Sequence, residues 1–309
     1  MALVRYIPEN LNIAFMRLRR VSFPLSALLS LVSIFAVMTL GFNLGIDFKG
    51  GTLIEVQSTR GAPDLAAVRS KLLGLGIGDV QIQEFGSPTE LLIRVESTGD
   101  PTATVERVRQ TLADEFTFRR VETVGPTVSE ELVQSSTIAV LLGIMTILAY
   151  MWFRFEWQFA LAGVITTFHD LVLTLGFFSL VQLDFDLTSI AAVLTIIGYS
   201  VNDTVVIYDR IRDMLRRYKR IAIDELLDLA INATFSRTLI VAATTFLATL
   251  ALYFFGGEVI RVFSLAMLFG VVVGTYSTIF IASPLLIYFG VRTSTVAAEV
   301  GGSRVEAKA

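Results

Sequence analysis

The sequence predicts a membrane protein of six transmembrane helices, with one water-exposed α+β domain inserted after the first helix. Composition is the first observation: 54% of the 309 residues are hydrophobic and 17% charged, and the mean hydropathy is +0.68. Such a chain falls outside the soluble globular class. The second is a set of apolar runs at 23–45, 137–153, 158–180, 187–208, 238–255 and 262–289. Each lies near the ~20 residues that span a bilayer, the second and fifth being short. The third is the stretch 46–135, where charges of both signs are interspersed with strand-like and helix-like periodicities.

The elements follow in order. Segment 1–22 carries Arg17, Arg19 and Arg20 ahead of the first helix, 23–45. Its apolar stretch exceeds the ~7–15 residues of a signal h-region, and no A-x-A-like site closes it, so it reads as an uncleaved anchor. Within the insert, GGTLIEVQS at 50–58 alternates as a strand. Residues 63–73 have Pro63 near a helix start and Gly74 beyond its end. Strands at 80–85 and 91–96 flank the turn Gly86-Ser87-Pro88. A second helix at 101–115 and a strand at 116–124 complete β-α-β-β-α-β, the order of a ferredoxin-like module. Segment 136–290 then holds helices two to six. Pro284 predicts a kink or tilt in the last.

The connection 209–236 begins with an arginine-dense extension of the fourth helix. It continues as an amphipathic stretch with Leu226, Leu227, Ala230 and Ile231 against Asp224, Glu225 and Asp228, the pattern of an interfacial helix. The tail 291–309 is polar and rich in small residues, a composition of disorder.

Short-loop charges set the orientation. Arg17, Arg19, Arg20, Arg154, Arg210, Arg212, Arg216, Arg217, Lys219, Arg220 and Arg292 fall on one side, which the positive-inside rule makes cytoplasmic, together with both termini. Asp184 and Asp186, then Glu258 with Arg261, fall on the other side with the insert.

Several chemistries are excluded. There is no cysteine for a disulfide or thiolate site, and one histidine cannot build a structural zinc site. No nucleophile–base pair, glycine-rich phosphate loop or cofactor motif is visible, and a net charge of −3 gives no sign of nucleic-acid binding. The reading is therefore not an enzyme, with no metal and no cofactor.

The most informative residue is Asp203, the only charge in LTSIAAVLTIIGYSVNDTVVIY at 187–208. A carboxylate at that depth costs about 2.5–3.5 kcal/mol on insertion scales, so such groups are protonated, paired or facing a wet cavity. A structural interhelical bond and an ion pathway both meet that demand. Arg237 opens the fifth run and can either share the depth of Asp203 on an antiparallel neighbour or snorkel to the headgroups. Asn202, His169, Asp170 and Thr245 are candidates for a proton relay or for helix packing. As i, i+1 neighbours, His169 and Asp170 are expected on different helix faces, one of them bonding to a neighbouring helix.

GIDFKGG at 45–51, VGPTVSEEL at 124–132, FHD at 168–170, GYSVNDTVVIYDRIR at 198–212 and NATFSRTLIVAATT at 232–245 together resemble the SecF family, the smaller membrane subunits of SecDF protein-export complexes within the RND superfamily. The resemblance runs from Arg17 to Phe289. It implies an RND-type half in the bacterial cytoplasmic membrane. The implied partners are a separate SecD-like subunit, the SecYEG channel, a translocating secretory protein and membrane lipid. It further implies that Asp203 is a proton-pathway carboxylate working with Arg237, and that the proton-motive force drives export. Two alternatives from other classes are a passive scaffold subunit and half of an RND-type small-molecule exporter. The insert of ~90 residues is small for an exporter pocket.

Overall fold

The computed structural model describes residues 12–96 and 101–291. Segment 1–11 and all of the predicted tail beyond Val291 lie outside the described residues. A 3₁₀ turn, Phe15–Leu18, leads into α1, Arg19–Leu40. The elements β1 (Asn43–Leu44), α2 (Ile46–Lys49), β2 (Gly51–Ser58), α3 (Leu65–Leu73), β3 (Val80–Phe85), β4 (Ser87–Val95), α4 (Pro101–Leu112) and β5 (Phe116–Val124) follow. Then come α5 (Pro126–Arg154), α6 (Trp157–Val181), β6 (Asp184–Phe185), α7 (Leu187–Arg217), α8 (Ile223–Phe255), α9 (Glu258–Ser277), a π-helical turn (Thr278–Ala282) and α10 (Ser283–Tyr288).

The chain divides into a sheet unit, Phe42–Val140 with Asp184–Ile190, and a helical unit made of the remaining described residues. In the sheet unit, four antiparallel strands run in the order β3-β4-β2-β5, which with α3 and α4 is the ferredoxin-like arrangement. Alternation decides which face is buried: Ile54, Val56, Leu91, Ile93 and Val95 point inward against Val68 and Leu72 of α3 and Val108 and Leu112 of α4. The cap of α3 is Asp64, whose Oδ1 accepts from Ala66 N (2.9 Å) and Ala67 N (3.4 Å), so Pro63 stands outside the helix.

The glycine pair has a steric cause. Gly50 (φ 73°) closes α2 and Gly51 (φ 121°) opens β2 with the Val95 carbonyl directly beside it, where a Cβ cannot fit. Sequence patterning missed β1 and β6, which pair in parallel (Asn43↔Asp184, Leu44↔Phe185). Arg94 forms an ion pair with Asp184 there, and Asn43 Nδ2 donates to Asp184 Oδ1 (2.7 Å).

The described chain has six helical stretches long and apolar enough to cross a membrane: Phe15–Leu40, Pro126–Arg154, Trp157–Val181, Leu187–Arg217, Ile223–Phe255 and Ile260–Tyr288. The protein is thus a multi-pass membrane protein. One expectation fails. The amphipathic stretch is no separate interfacial helix; it forms the first turns of α8, and Leu226, Leu227, Ala230 and Ile231 are each 0% exposed. They are covered by protein, and the N-terminal segment docks on the adjoining polar face of the same turns. Met16 N donates to Asp228 Oδ1 (2.8 Å), and Asn232 bonds both backbone groups of Ile13 (3.0 and 2.9 Å). Phe15 packs on Phe235 and Phe280.

Pro284 acts through the π turn that precedes it. Proline removes the N–H that would serve the Phe280 carbonyl four residues back. Ser22 Oγ of α1 donates to that carbonyl instead (3.1 Å), while Tyr208 OH donates to Ala282 O (3.2 Å).

Candidate functional site

Two polar clusters lie within the apolar helices, and both are assembled on α7. Residues four apart share a helix face, so Tyr199 and Asp203 form one row and Ser200 and Thr204 the next. The first row meets α8. Thr238 Oγ1 donates to Asp203 Oδ1 at 2.8 Å, while Asp203 Oδ2 is buried without a hydrogen-bond partner. Arg237 acts on Asp203 electrostatically, yet no described ion pair within 4.0 Å joins them. Its side chain is exposed, as is that of Asn202. Thr245 is half-buried, and with Thr275 of α9 it faces the Tyr199 hydroxyl. The structure therefore gathers Asp203, Thr238, Tyr199 and Thr245 at one junction, with Arg237 near and Asn202 turned outward.

The second row meets α6 and α9. Asp170 is 0% exposed and its Oδ2 accepts from Ser200 Oγ (2.5 Å) and Ser277 Oγ (2.7 Å). One turn along, Thr204 Oγ1 and Thr278 Oγ1 lie 3.0 Å apart. Asp170 does bond to neighbouring helices, but the expectation that His169 points elsewhere is wrong. His169 Nδ1 is 2.9 Å from Asp170 Oδ1. Their Cβ atoms diverge by about 100° around the helix, but the imidazole is long enough to turn back across that angle. Serine, histidine and aspartate meet here without the geometry of a hydrolase. Asp170 sits between the other two, and a nucleophile needs the histidine in the middle. Among the described residues no group of three or more His, Cys, Asp or Glu converges on a point that could hold a metal.

Ser200, Thr204, Ser277 and Tyr199 were not singled out from sequence. The available signal was the hydroxyl pair four apart, Ser200 and Thr204, in GYSVNDT at 198–204, and four consecutive hydroxyl side chains in GTYST at 274–278. Small residues explain how the helices come close enough. A Cβ on Gly274 would lie 3.2 Å from Ser200 Cβ, so α9 approaches α7 closely where the serines converge.

Comparison with known proteins bears on the whole chain. Residues 104–292 match the family described as "Protein export membrane protein SecD/SecF, C-terminal", and residues 35–62 match the SecD/SecF GG motif. The protein translocase subunit SecF of Rickettsia bellii is 47% identical over 292 residues, 93% of this chain and 96% of the relative. That of Rickettsia felis is 46% identical over 295 residues, 94% and 96% of the two chains. The crystal structure of SecDF, a translocon-associated membrane protein from Thermus thermophilus, superposes with a TM-score of 0.85 at 34% identity. The match covers 93% of this chain but 40% of that one, so the chain spans well under half of the SecDF polypeptide. A SecDF structure in a super-membrane-facing form gives a TM-score of 0.70, also at 34% identity. Identity of this order over nearly the full length of the SecF relatives, on the same fold, means that the chain belongs to the SecF family.

Proposed function

We propose that this protein is the SecF subunit of a SecDF-type accessory complex, promoting export of secretory proteins across the bacterial cytoplasmic membrane at the expense of the proton-motive force. Its partners in this reading are a separate SecD-like subunit, the SecYEG channel, the translocating chain and lipid. Both termini and the 209–236 region are cytoplasmic, and the sheet unit faces the opposite side.

The observation that carries the proton pathway is the Asp203 carboxyl. It lies in an apolar helix, with one oxygen held by Thr238 and the other buried and unpartnered. A purely structural carboxyl is expected to use both oxygens, whereas one oxygen held in reserve suits a group that gains and loses a proton. Protonation cancels its attraction to Arg237 and deprotonation restores it, which moves α8 relative to α7. A proton falling through about 100 mV releases about 2.3 kcal/mol, enough to bias such an equilibrium well over tenfold.

The test uses inverted membrane vesicles containing the complete complex. Asp203→Asn is near-isosteric but cannot release a proton. It should bind its partner, support basal translocation of a secretory precursor and lose the protonophore-sensitive stimulation. Asp203→Glu should retain part of it. Full stimulation by the Asn variant at equal abundance refutes the proton role and favours a scaffold.

A further inference from the structure

The geometry points to a second proton-holding site at His169–Asp170, separate from Asp203: an imidazole and a carboxyl that share one proton between Nδ1 and Oδ1 and exchange it through Nε2. Four observations converge on it. Asp170 is fully buried at the meeting of α6, α7 and α9. Both hydroxyls that reach it, from Ser200 and Ser277, go to Oδ2. Oδ1 is left to His169 Nδ1 at 2.9 Å. The far end of the imidazole, Nε2, is buried with no hydrogen-bond partner, on a side chain only 9% exposed.

Charge fixes the proton count. Among the described residues no lysine or arginine lies within ion-pair distance of Asp170, and His169 is its one basic neighbour. The titratable groups on the packed helices are otherwise engaged or distant in sequence. Tyr276 of α9 donates to Ser22 O, Tyr199 faces Thr245 and Thr275, and Asp203 is held by Thr238. Arg19 and Arg20 lie at the start of α1, and Arg261 in the first turn of α9. A net charge buried in such surroundings is strongly disfavoured, so the resting cluster carries one proton beyond the neutral-imidazole, ionised-carboxylate form.

That proton has two placements. On Oδ1 it makes a carboxylic acid donating to Nδ1, and the neutral ring must then carry its own hydrogen on Nε2. On Nδ1 it makes an imidazolium beside a carboxylate, and Nε2 is again protonated. Both neutral forms have Nε2–H. When the cluster loses its proton, the ring keeps one hydrogen and the carboxylate claims it at Nδ1, so Nε2 becomes bare. Release therefore occurs at Nε2. The imidazolium simply loses that hydrogen, whereas from the carboxylic-acid placement the Oδ1 proton moves to Nδ1 as Nε2–H departs. Both end as the Nδ1–H ring beside a carboxylate. No bond other than these N–H and O–H bonds changes, and the proton passes to water when the packing at Nε2 opens. Because the same carboxyl holds Ser200 and Ser277, its protonation also changes how tightly α6 grips α7 and α9.

The lone histidine makes this directly observable. The full chain, ¹⁵N-labelled at histidine, purified on a histidine-free tag and placed in phospholipid nanodiscs, gives one pair of imidazole nitrogens. The expected result is loss of the Nε2 hydrogen on raising the pH, leaving the ring as Nδ1–H. Asp170→Asn removes the shared carboxyl and should lower the midpoint by a pH unit or more, a tenfold or greater loss of proton affinity. Ser277→Ala keeps the carboxyl but removes one donor that favours its ionised form, so it should raise the midpoint. This second variant decides the matter if Asp170→Asn fails to fold. An Nε2 whose protonation does not change with pH, or a midpoint unmoved in a folded variant, overturns the site. Asp203→Asn should leave the His169 titration in place, so failure of the Asp203 pathway and failure of this site are read separately.

Discussion

Two glycines of α6 invite the same substitution with opposite consequences. At Gly163 a new Cβ would overlap only the terminal methyl of Met151, with Tyr208 Cε2 next at 3.7 Å. Met151 is 1% exposed, but its flexible thioether end can turn aside at little cost. At Gly176 the new Cβ would overlap Ser33 Cβ and Oγ and lie 2.7 Å from Ser33 Cα. A backbone atom cannot rotate away, so α1 and α6 must separate. Alanine gains about 0.8–1 kcal/mol of helix propensity at either position. Overpacking costs about 1–3 kcal/mol where nothing yields. Gly163→Ala should therefore be neutral or stabilising by up to about 1 kcal/mol, and Gly176→Ala destabilising by about 2 kcal/mol, the unyielding backbone contact putting the overpacking cost at its upper end of about 3 kcal/mol against the propensity gain.

The assay is the temperature at which half of the detergent-solubilised protein leaves the monodisperse peak, compared for both variants under one protocol. Ser33→Gly in the Gly176→Ala background removes the Cβ and Oγ overlaps and should recover part of the loss. Recovery stays incomplete because the contact with Ser33 Cα remains. A Gly176→Ala protein as stable as Gly163→Ala, or a double variant worse than the single, would refute close backbone approach as the reason for glycine at 176.

Two further outcomes are expected. Ser22→Ala leaves the Phe280 carbonyl without its donor and should cost about 1–3 kcal/mol of thermal stability; in a Pro284→Ala background, where the N–H returns, the same change should cost measurably less. On the sheet unit, the Lys71 ammonium, hydrogen-bonded to both Glu115 oxygens at 2.8 Å, holds the Glu115 carboxyl below its ordinary range, first through the hydrogen bond and then through its charge. A lowered folded value means the pair stabilises above the unfolded carboxylate pKa and loses that effect as pH falls through the folded value, so in an NMR titration Lys71→Ala should move Glu115 upward, and an unmoved titration would show the pair to be inert.

Much of the fold was legible because two signals are strong in single sequences. Period-two alternation in 50–58 and 91–96 marks strands with one buried face, and the apolar runs mark helices without reference to partners. What failed had weak or ambiguous signals. β1 and β6 are two residues each, too short to alternate, and their pairing joins segments far apart in sequence. Leu226, Leu227, Ala230 and Ile231 form an apolar stripe that a membrane surface or a protein surface satisfies equally well. Protein covers that stripe here, and no local pattern in 224–231 marks the choice.

The candidate site divides along the same line. Asp203 was visible because a lone charge in an apolar run is costly wherever it points. Its surroundings were not, because a threonine or serine in a membrane helix can satisfy its hydroxyl on its own backbone. Thr166, Thr167, Thr174 and Thr195 do so, each donating to the carbonyl four residues earlier. Ser200 and Thr238 instead reach carboxylates on other helices, and Ser277 reaches one in addition to the Gly274 carbonyl of its own helix. The sequence treats both groups alike. Only interhelical distance separates them, and that distance is set by side-chain size at neighbouring positions. Gly274 lets α9 approach Ser200, and Ser277, one turn on, then reaches Asp170. A bulkier residue at 274 would move α9 outward and withdraw one of the two donors from Asp170 without touching any polar group. The polar clusters of this protein therefore depend on its glycines as directly as on its carboxylates.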